Sequence, residues 1–164
     1  MATGRSTQLT RQVGEHLVAA ELGRMGIIAT PFAGNVPAFD LLAANEHGKA
    51  IPIQVKAISG PSWQFNARSF LRINIKDGFQ RVQGLRSDVD PSLVCVLVRL
   101  VAPGADEFYT LTFGELQRIF KGKYKSRARP KNPESTHCAL WPEEAAPYLG
   151  WSAVEAALGD GTDA

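Results

Sequence analysis

Four polar side chains stand within apolar runs at spacings that could assemble a hydrolytic site. Residues 50–58 read Ala-Ile-Pro-Ile-Gln-Val-Lys-Ala-Ile. In an extended chain the period of two puts Ile51, Ile53, Val55 and Ala57 on one face and Gln54 with Lys56 on the other. Residues 38–43 carry Asp40 at the opposite parity to Phe39, Leu41 and Ala43, so a hairpin of the two runs brings a carboxylate beside an amide and an ammonium. The fourth residue is Glu15. At about 100° per residue it lies within about 60° of Val18, Ala19 and Leu22, on a helix face that packs inward. A carboxylate there needs a partner. Arg11, four residues earlier, is the local one, although acid after base is the weaker order for such a pair; a metal ion or the Asp40–Lys56 site is the other. The arrangement without chemistry is a cross-strand ion pair of Asp40 with Lys56, and Gln54 bonded to the backbone.

The elements that must hold these groups are legible in outline. Ser6 or Thr7 caps a helix running to Met25, with Leu9, Val13, Leu17 and Ala20 on one side and Val18, Leu22 and Met25 on another, and Gly26 stops it. Residues 27–32 are extended, and Asn45-Glu46-His47-Gly48 is the turn between the two arms of the hairpin. Residues 69–75 predict a further strand and 77–86 a short helix interrupted by Gly78 and Gly84. Residues 93–101 are nearly all aliphatic, as in a strand buried on both faces at the sheet centre. Residues 107–111 predict its antiparallel neighbour, 113–120 a helix and 152–158 a last one. This is one α/β domain with a mixed central sheet flanked by helices.

Composition narrows the class. With 45% apolar residues over 164 positions the chain can build a core and is not a disordered protein. It contains no run of about 18 apolar residues and begins with a polar segment, so a soluble, unsecreted protein is expected. Cys95 and Cys138 are too few for a disulfide scaffold, which points to reduced thiols in the cytoplasm. The charge is uneven: residues 1–142 hold all 18 Lys and Arg against 11 acids, whereas 143–164 hold five acids and no Lys or Arg. We therefore expect a basic domain over 1–142 and an acidic C-terminal extension, 143–164, packed on it.

The stretches Gly14-Glu15-His16-Leu17-Val18-Ala19-Ala20-Glu21-Leu22, Phe39-Asp40-Leu41-Leu42 and Ile53-Gln54-Val55-Lys56-Ala57, in that order and spacing, resemble the core of the PD-(D/E)xK nuclease superfamily, the restriction-endonuclease-like fold. Intron-encoded homing endonucleases and their relatives with an Ile-Gln-x-Lys stretch are similar in using Gln where most members have Asp or Glu; Phe39 likewise stands where the family has Pro. The resemblance implies a DNA endonuclease that hydrolyses phosphodiester bonds with Mg2+, for which Mn2+ can substitute. It also implies the roles: Asp40 as the strand acid, Gln54 and the main-chain carbonyl of Val55 as further metal ligands, Glu15 as the helix-borne acid of some members, and Lys56 as the group that orients or activates water. A Gln oxygen can coordinate a hard cation but adds no negative charge, so one weakly held ion is expected rather than a tight pair. The alternative is a catalytically inactive module that keeps the fold and binds nucleic acid.

Residues 121–131 place Lys121, Lys123, Lys125, Arg127, Arg129 and Lys131 at every other position with no acid among them. An extended segment would set all six on one side to contact phosphates, with Tyr124 free to stack on a base; the plainer reading is a solvated loop. Trp63 and Phe65 read as core, Trp141, Tyr148 and Trp151 as pins for the C-terminal extension, and His16, His47 and His137 show no ligand spacing for zinc. Cutting both strands of a duplex is simplest with two sites, which makes a homodimer plausible. A structural protein whose basic loop binds RNA is a third reading.

Overall fold

A computed structural model describes residues 4–32, 39–128 and 131–159. In chain order its elements are α1 (Gly4–Arg24), β1 (Ile28–Pro31), β2 (Leu41–Ala44), β3 (Ala50–Ile58), β4 (Trp63–Asn66), β5 (Leu71–Lys76), β6 (Phe79–Leu85), β7 (Val94–Arg99), β8 (Glu107–Thr112), α2 (Phe113–Lys123), β9 (Arg127–Ala128), β10 (His137–Leu140), α3 (Pro142–Ala145) and α4 (Ser152–Leu158). The central sheet has the order β1-β2-β3-β7-β8 and is mixed: β3 pairs parallel with β7, and the other neighbours are antiparallel. Two small sheets, β10-β4 and β5-β6-β9, complete the strands. The expected α/β class and mixed sheet flanked by helices are what is found.

The central sheet divides two apolar clusters. On one side Val18 and Leu22 of α1 and Val154 and Leu158 of α4 pack on Ile53, Val55, Val94, Val96 and Val98. On the other side Cys95 and Leu97 face Trp63, Phe70, Leu116, Phe120 and Tyr124. Strand β7 thus buries both its faces, which is why Val94 to Val98 are all apolar. It is not the middle strand, however. That position is held by β3, whose Gln54 and Lys56 had masked its place.

Two glycines shape the region that matters. Gly26, at φ +80°, ends the α1 turn and sends the chain into β1. Gly14 lets α1 lie directly on β3, since a Cβ built there would sit 2.4 Å from Cβ of Ala57. Only one side of α1 is covered: Leu9, Val13 and Met25, expected to pack, are 53%, 44% and 39% exposed.

The predicted helix over 77–86 is instead β6, the second arm of a hairpin with β5. The turn is Asp77-Gly78, with φ of 51° and 73°, the left-handed pair that a two-residue hairpin loop requires. The expected extended run over 121–131 is also corrected. α2 continues to Lys123, because a capping box of Thr112 with Glu115 starts it firmly and its apolar positions Phe113, Leu116 and Phe120 are all buried.

Candidate functional site

Strand β3 outruns β2. The ladder between them pairs Leu41–Ala44 with Ala50–Ile53, so beyond Ile53 that edge of β3 has no β2 residue beside it. Asp40, the residue just before β2, fills the gap: its N–H donates to the Ile53 carbonyl at 2.9 Å, and its Oδ2 accepts from the Val55 N–H at 2.8 Å. The carboxylate is thereby fixed at the strand edge by a main-chain donor. From the other side Arg11 of α1 donates through Nη2 to Asp40 Oδ1 at 2.9 Å and through Nε to Glu15 Oε1 at 2.7 Å. The two acid side chains are only 11% and 12% exposed, the arginine 51%. One guanidinium therefore holds two nearly buried carboxylates, and both of them hold its proton more tightly than usual.

Gln54 and Lys56 leave β3 on the face opposite α1. Gln54 is exposed, with Oε1 4.0 Å from the Cys95 Sγ. Lys56 is half-buried, its Nζ 4.8 Å from the centre of the Phe65 ring, and burial lowers its pKa. Among the described residues no carboxylate lies within salt-bridge distance of it. The plainer alternative, a cross-strand Asp40–Lys56 ion pair, is not what forms: Asp40 pairs with Arg11 instead. Arg11 was legible only as a local partner of Glu15; that it also reaches Asp40, 29 residues on, depends on how α1 lies across β3.

These groups share an open cleft of about 1170 Å³, lined by Arg11, Asp40, Gln54, Val55 and Lys56 among others. Glu15 is not in its wall and joins the site only through Arg11. Cys95 lines it too, but burial and the nearby Asp40 charge push its thiol up to about 12, so it remains protonated at neutral pH and is no nucleophile. Asp88 and Asp90, on the far rim, were not foreseen; each is satisfied locally, Asp88 by Arg86 and Asp90 by the Ser92 hydroxyl and N–H, and both are held below the usual carboxylate range by those bonds.

Among the described residues no three His, Cys, Asp or Glu side chains converge. The oxygen donors in the cleft wall are the Asp40 carboxylate, the Gln54 amide and the Val55 main-chain carbonyl, with the Glu15 carboxylate behind Arg11. This set suits a hard cation: oxygen donors throughout, and two acids already converging on one positive group.

The expected basic run is dispersed. Lys121 and Lys123 lie in the last turn of α2, and Lys123 Nζ donates to the Ala139 carbonyl and to Glu144, both at 2.5 Å. Lys125 and Lys131 are exposed. Arg127 is in β9; its side chain and the whole of Arg129 lie outside the described residues. Tyr124, expected on a surface, is 1% exposed and hydrogen-bonds Gln80. Trp63 is fully buried and donates to the carbonyls of Lys56 and Val98, which steadies β3 next to the site.

The sequence matches no protein-family model and no curated protein. Among solved structures the chain is similar to a bacterial homing endonuclease, I-Ssp6803I, with a TM-score of 0.51 and 15% identity over 93% of each chain. The fold is that of this nuclease-like neighbour. No described helix is long and apolar enough to cross a membrane.

Proposed function

We propose that the chain is a metal-dependent DNA endonuclease of the PD-(D/E)xK type in its Gln variant. The observation that carries this reading is the coincidence, beyond the end of the β2 ladder, of Asp40 anchored on the Val55 N–H with the half-buried Lys56, the next residue along β3, which among the described residues has no carboxylate within salt-bridge distance. An ammonium held in a partly dry cleft without a carboxylate partner costs stability, and a site for phosphate or for a proton in flight is a reason to keep it.

In this reading Asp40, Gln54 and the Val55 carbonyl hold Mg2+ or Mn2+, with Glu15 close by through Arg11. An ion held by these residues would supply Lewis acidity for the phosphodiester and would lower the pKa of the attacking water. Asp40 keeps its orientation through the Val55 N–H while its other oxygen is available to trade Arg11 for a different positive group. Lys56, with its lowered pKa, either steadies the attacking water or stabilises the charge developing on phosphate. Water gives up a proton as it adds to phosphorus, the ester P–O bond breaks, and the departing oxygen takes up a proton from solvent to leave as a hydroxyl. Lys121, Lys125 and Lys131 are then the cations of the basic segment that remain open to the phosphate backbone, with Arg127 and Arg129 beside them in sequence. Two copies acting together would cut both strands, and the cytoplasm is where such a protein would work.

The test is cleavage of supercoiled plasmid in Mg2+, Mn2+ and EDTA, with Asp40→Ala in parallel. Metal-dependent nicking by the wild type and none by the variant is expected; equal DNA retention without cleavage by either protein would refute it. One observation favours a second reading: Arg11 already pairs with both Glu15 and Asp40, as it would in a binding module that has no use for a metal.

A further inference from the structure

The β5–β6 hairpin has two unlike faces. Inward it turns Leu71, Ile73, Gln80 and Val82 towards the core; outward it presents Arg72, Asn74, Lys76, Phe79, Arg81 and Gln83, every one of them exposed. The outward set holds three cations and two amides and no acid. Among the described residues none of the three cations has a carboxylate within salt-bridge distance. Asn74 and Arg81 stand directly opposite each other in the ladder, and the Arg81 guanidinium lies over the Phe79 ring, 5.8 Å from its centre.

The hairpin is also firmly mounted. At its root the buried Gln117 amide donates to the carbonyls of Phe70 and Arg86 at 3.1 and 2.9 Å, tying the chain just before β5 to the chain just after β6. Nearer the tip Gln80 donates to the carbonyls of Pro133 and Ser135 at 2.5 and 2.9 Å. Phe70 and Arg86 line the same cleft as Asp40, Gln54 and Lys56, so the hairpin springs from the rim of the candidate site. Among the described residues strand β9 pairs with Phe79 and Gln80 alone, and the Val82 N–H donates to the Ser126 hydroxyl just before it; the remaining described part of the hairpin is a two-stranded ribbon.

We propose that this hairpin is a sequence-reading element for duplex DNA, laid in the major groove with Asn74 and Arg81 on base edges and Arg72 and Lys76 towards the phosphates. The major groove, about 12 Å wide, admits a two-stranded ribbon, and Arg and Asn are the side chains whose paired donors and acceptors match guanine and adenine there. Phosphate contacts then set position while the central pair specifies. The proposal rests on the nuclease reading for the cleft and names the element, and the two side chains on it, that would choose the sequence.

The experiment is a binding selection with the full chain, in EDTA, from duplexes carrying about 20 random base pairs, a span that covers a major-groove contact with margin. The wild type should enrich a motif and bind it at least about tenfold better than a scrambled duplex, the scale of one good base-edge pairing. The double variant Asn74→Ala, Arg81→Ala should bind both duplexes within about threefold of each other while melting as the wild type does, since both side chains are exposed. Gln83→Ala, on the same face, is the second variant and should blur the motif at an adjacent position. An unchanged motif in both variants, or no motif from the wild type, or equal preference for single strands, overturns the proposal. Cleavage is scored separately in Mg2+: a motif without cleavage would sink the nuclease reading and leave the hairpin's role standing, and cleavage without a motif would do the reverse.

Discussion

The cleft and the hairpin both gather charge, but they hold it in opposite ways. In the cleft each acid has an assigned donor: Asp40 takes the Val55 N–H and Arg11, and Glu15 takes the same Arg11. On the hairpin Arg72, Lys76 and Arg81 stand in solvent with no acid at salt-bridge distance among the described residues. A partly buried charge must be compensated where it lies, so a cleft that concentrates acids comes with built-in partners that a ligand has to replace. Exposed cations need no compensation from the protein and are free to release counterions on meeting a polyanion. Chemistry belongs to the first kind of place and recognition to the second.

The largest effect that this contrast implies is at Asp40. Asp40→Asn keeps an acceptor for the Val55 N–H, so the fold should persist, yet it removes the charge that faces Arg11. Metal-dependent plasmid nicking should fall by about 10²–10³-fold, the scale for loss of one fixed electrostatic group, with DNA retention within about twofold of wild type. Full activity in this variant would remove Asp40 from the chemistry and with it the difference between the two regions.

Lys56→Met should move activity and stability in opposite directions. Nicking should drop by about 10²-fold. Burial lowers the Lys56 pKa in the folded state, so between that value and the unfolded 10.5 the unfolded chain binds more protons, and wild-type stability should rise with pH in that window. Removing the ammonium removes this cost, and the variant should melt about 2–4 °C higher at neutral pH. A lower melting temperature would mean that Lys56 has a stabilising partner after all.

How much of this could be read beforehand follows from what kind of contact each feature uses. Gln54 and Lys56 on one face, Glu15 turned inward and the pairing of residues 50–53 with β2 follow from local periodicity, which sequence carries directly. The double reach of Arg11 does not, because it depends on the crossing of α1 over β3 that Gly14 permits. Residues 77–86 read as a helix interrupted by Gly78 and Gly84, whereas Asp77-Gly78 forms the two-residue turn of the hairpin. Gln80 misleads because it is polar yet fully buried, its amide used up on two carbonyls. Tyr124 misleads in the same way, since its neighbours are all cations while its ring is part of the core.

Arg11→Gln separates a site that waits for a cation from one that is permanently closed. If the guanidinium only pairs with Glu15 and Asp40, its loss leaves two acids in a poorly hydrated place and costs stability of about 1 kcal/mol or more. If a divalent ion normally displaces it, the same loss also frees the ligands, and Mn2+ binding to the DNA-free variant should tighten by roughly tenfold, in proportion to the competitor removed. Titration calorimetry with Mn2+ measures that directly, and unchanged affinity would favour the binding module.

The smallest effect expected is at Lys76, near the hairpin tip and exposed. Lys76→Ala should leave nicking in the cleft untouched at low salt and weaken binding about equally for every duplex. It should reduce the slope of log affinity against log salt by about one. That slope is what distinguishes a cation that touches phosphate from one that is merely near it: a general field effect would shift affinity without removing a released counterion. A slope identical to wild type would take Lys76 off the backbone and leave the central Asn74 and Arg81 pair to hold the ribbon in the groove without that anchor.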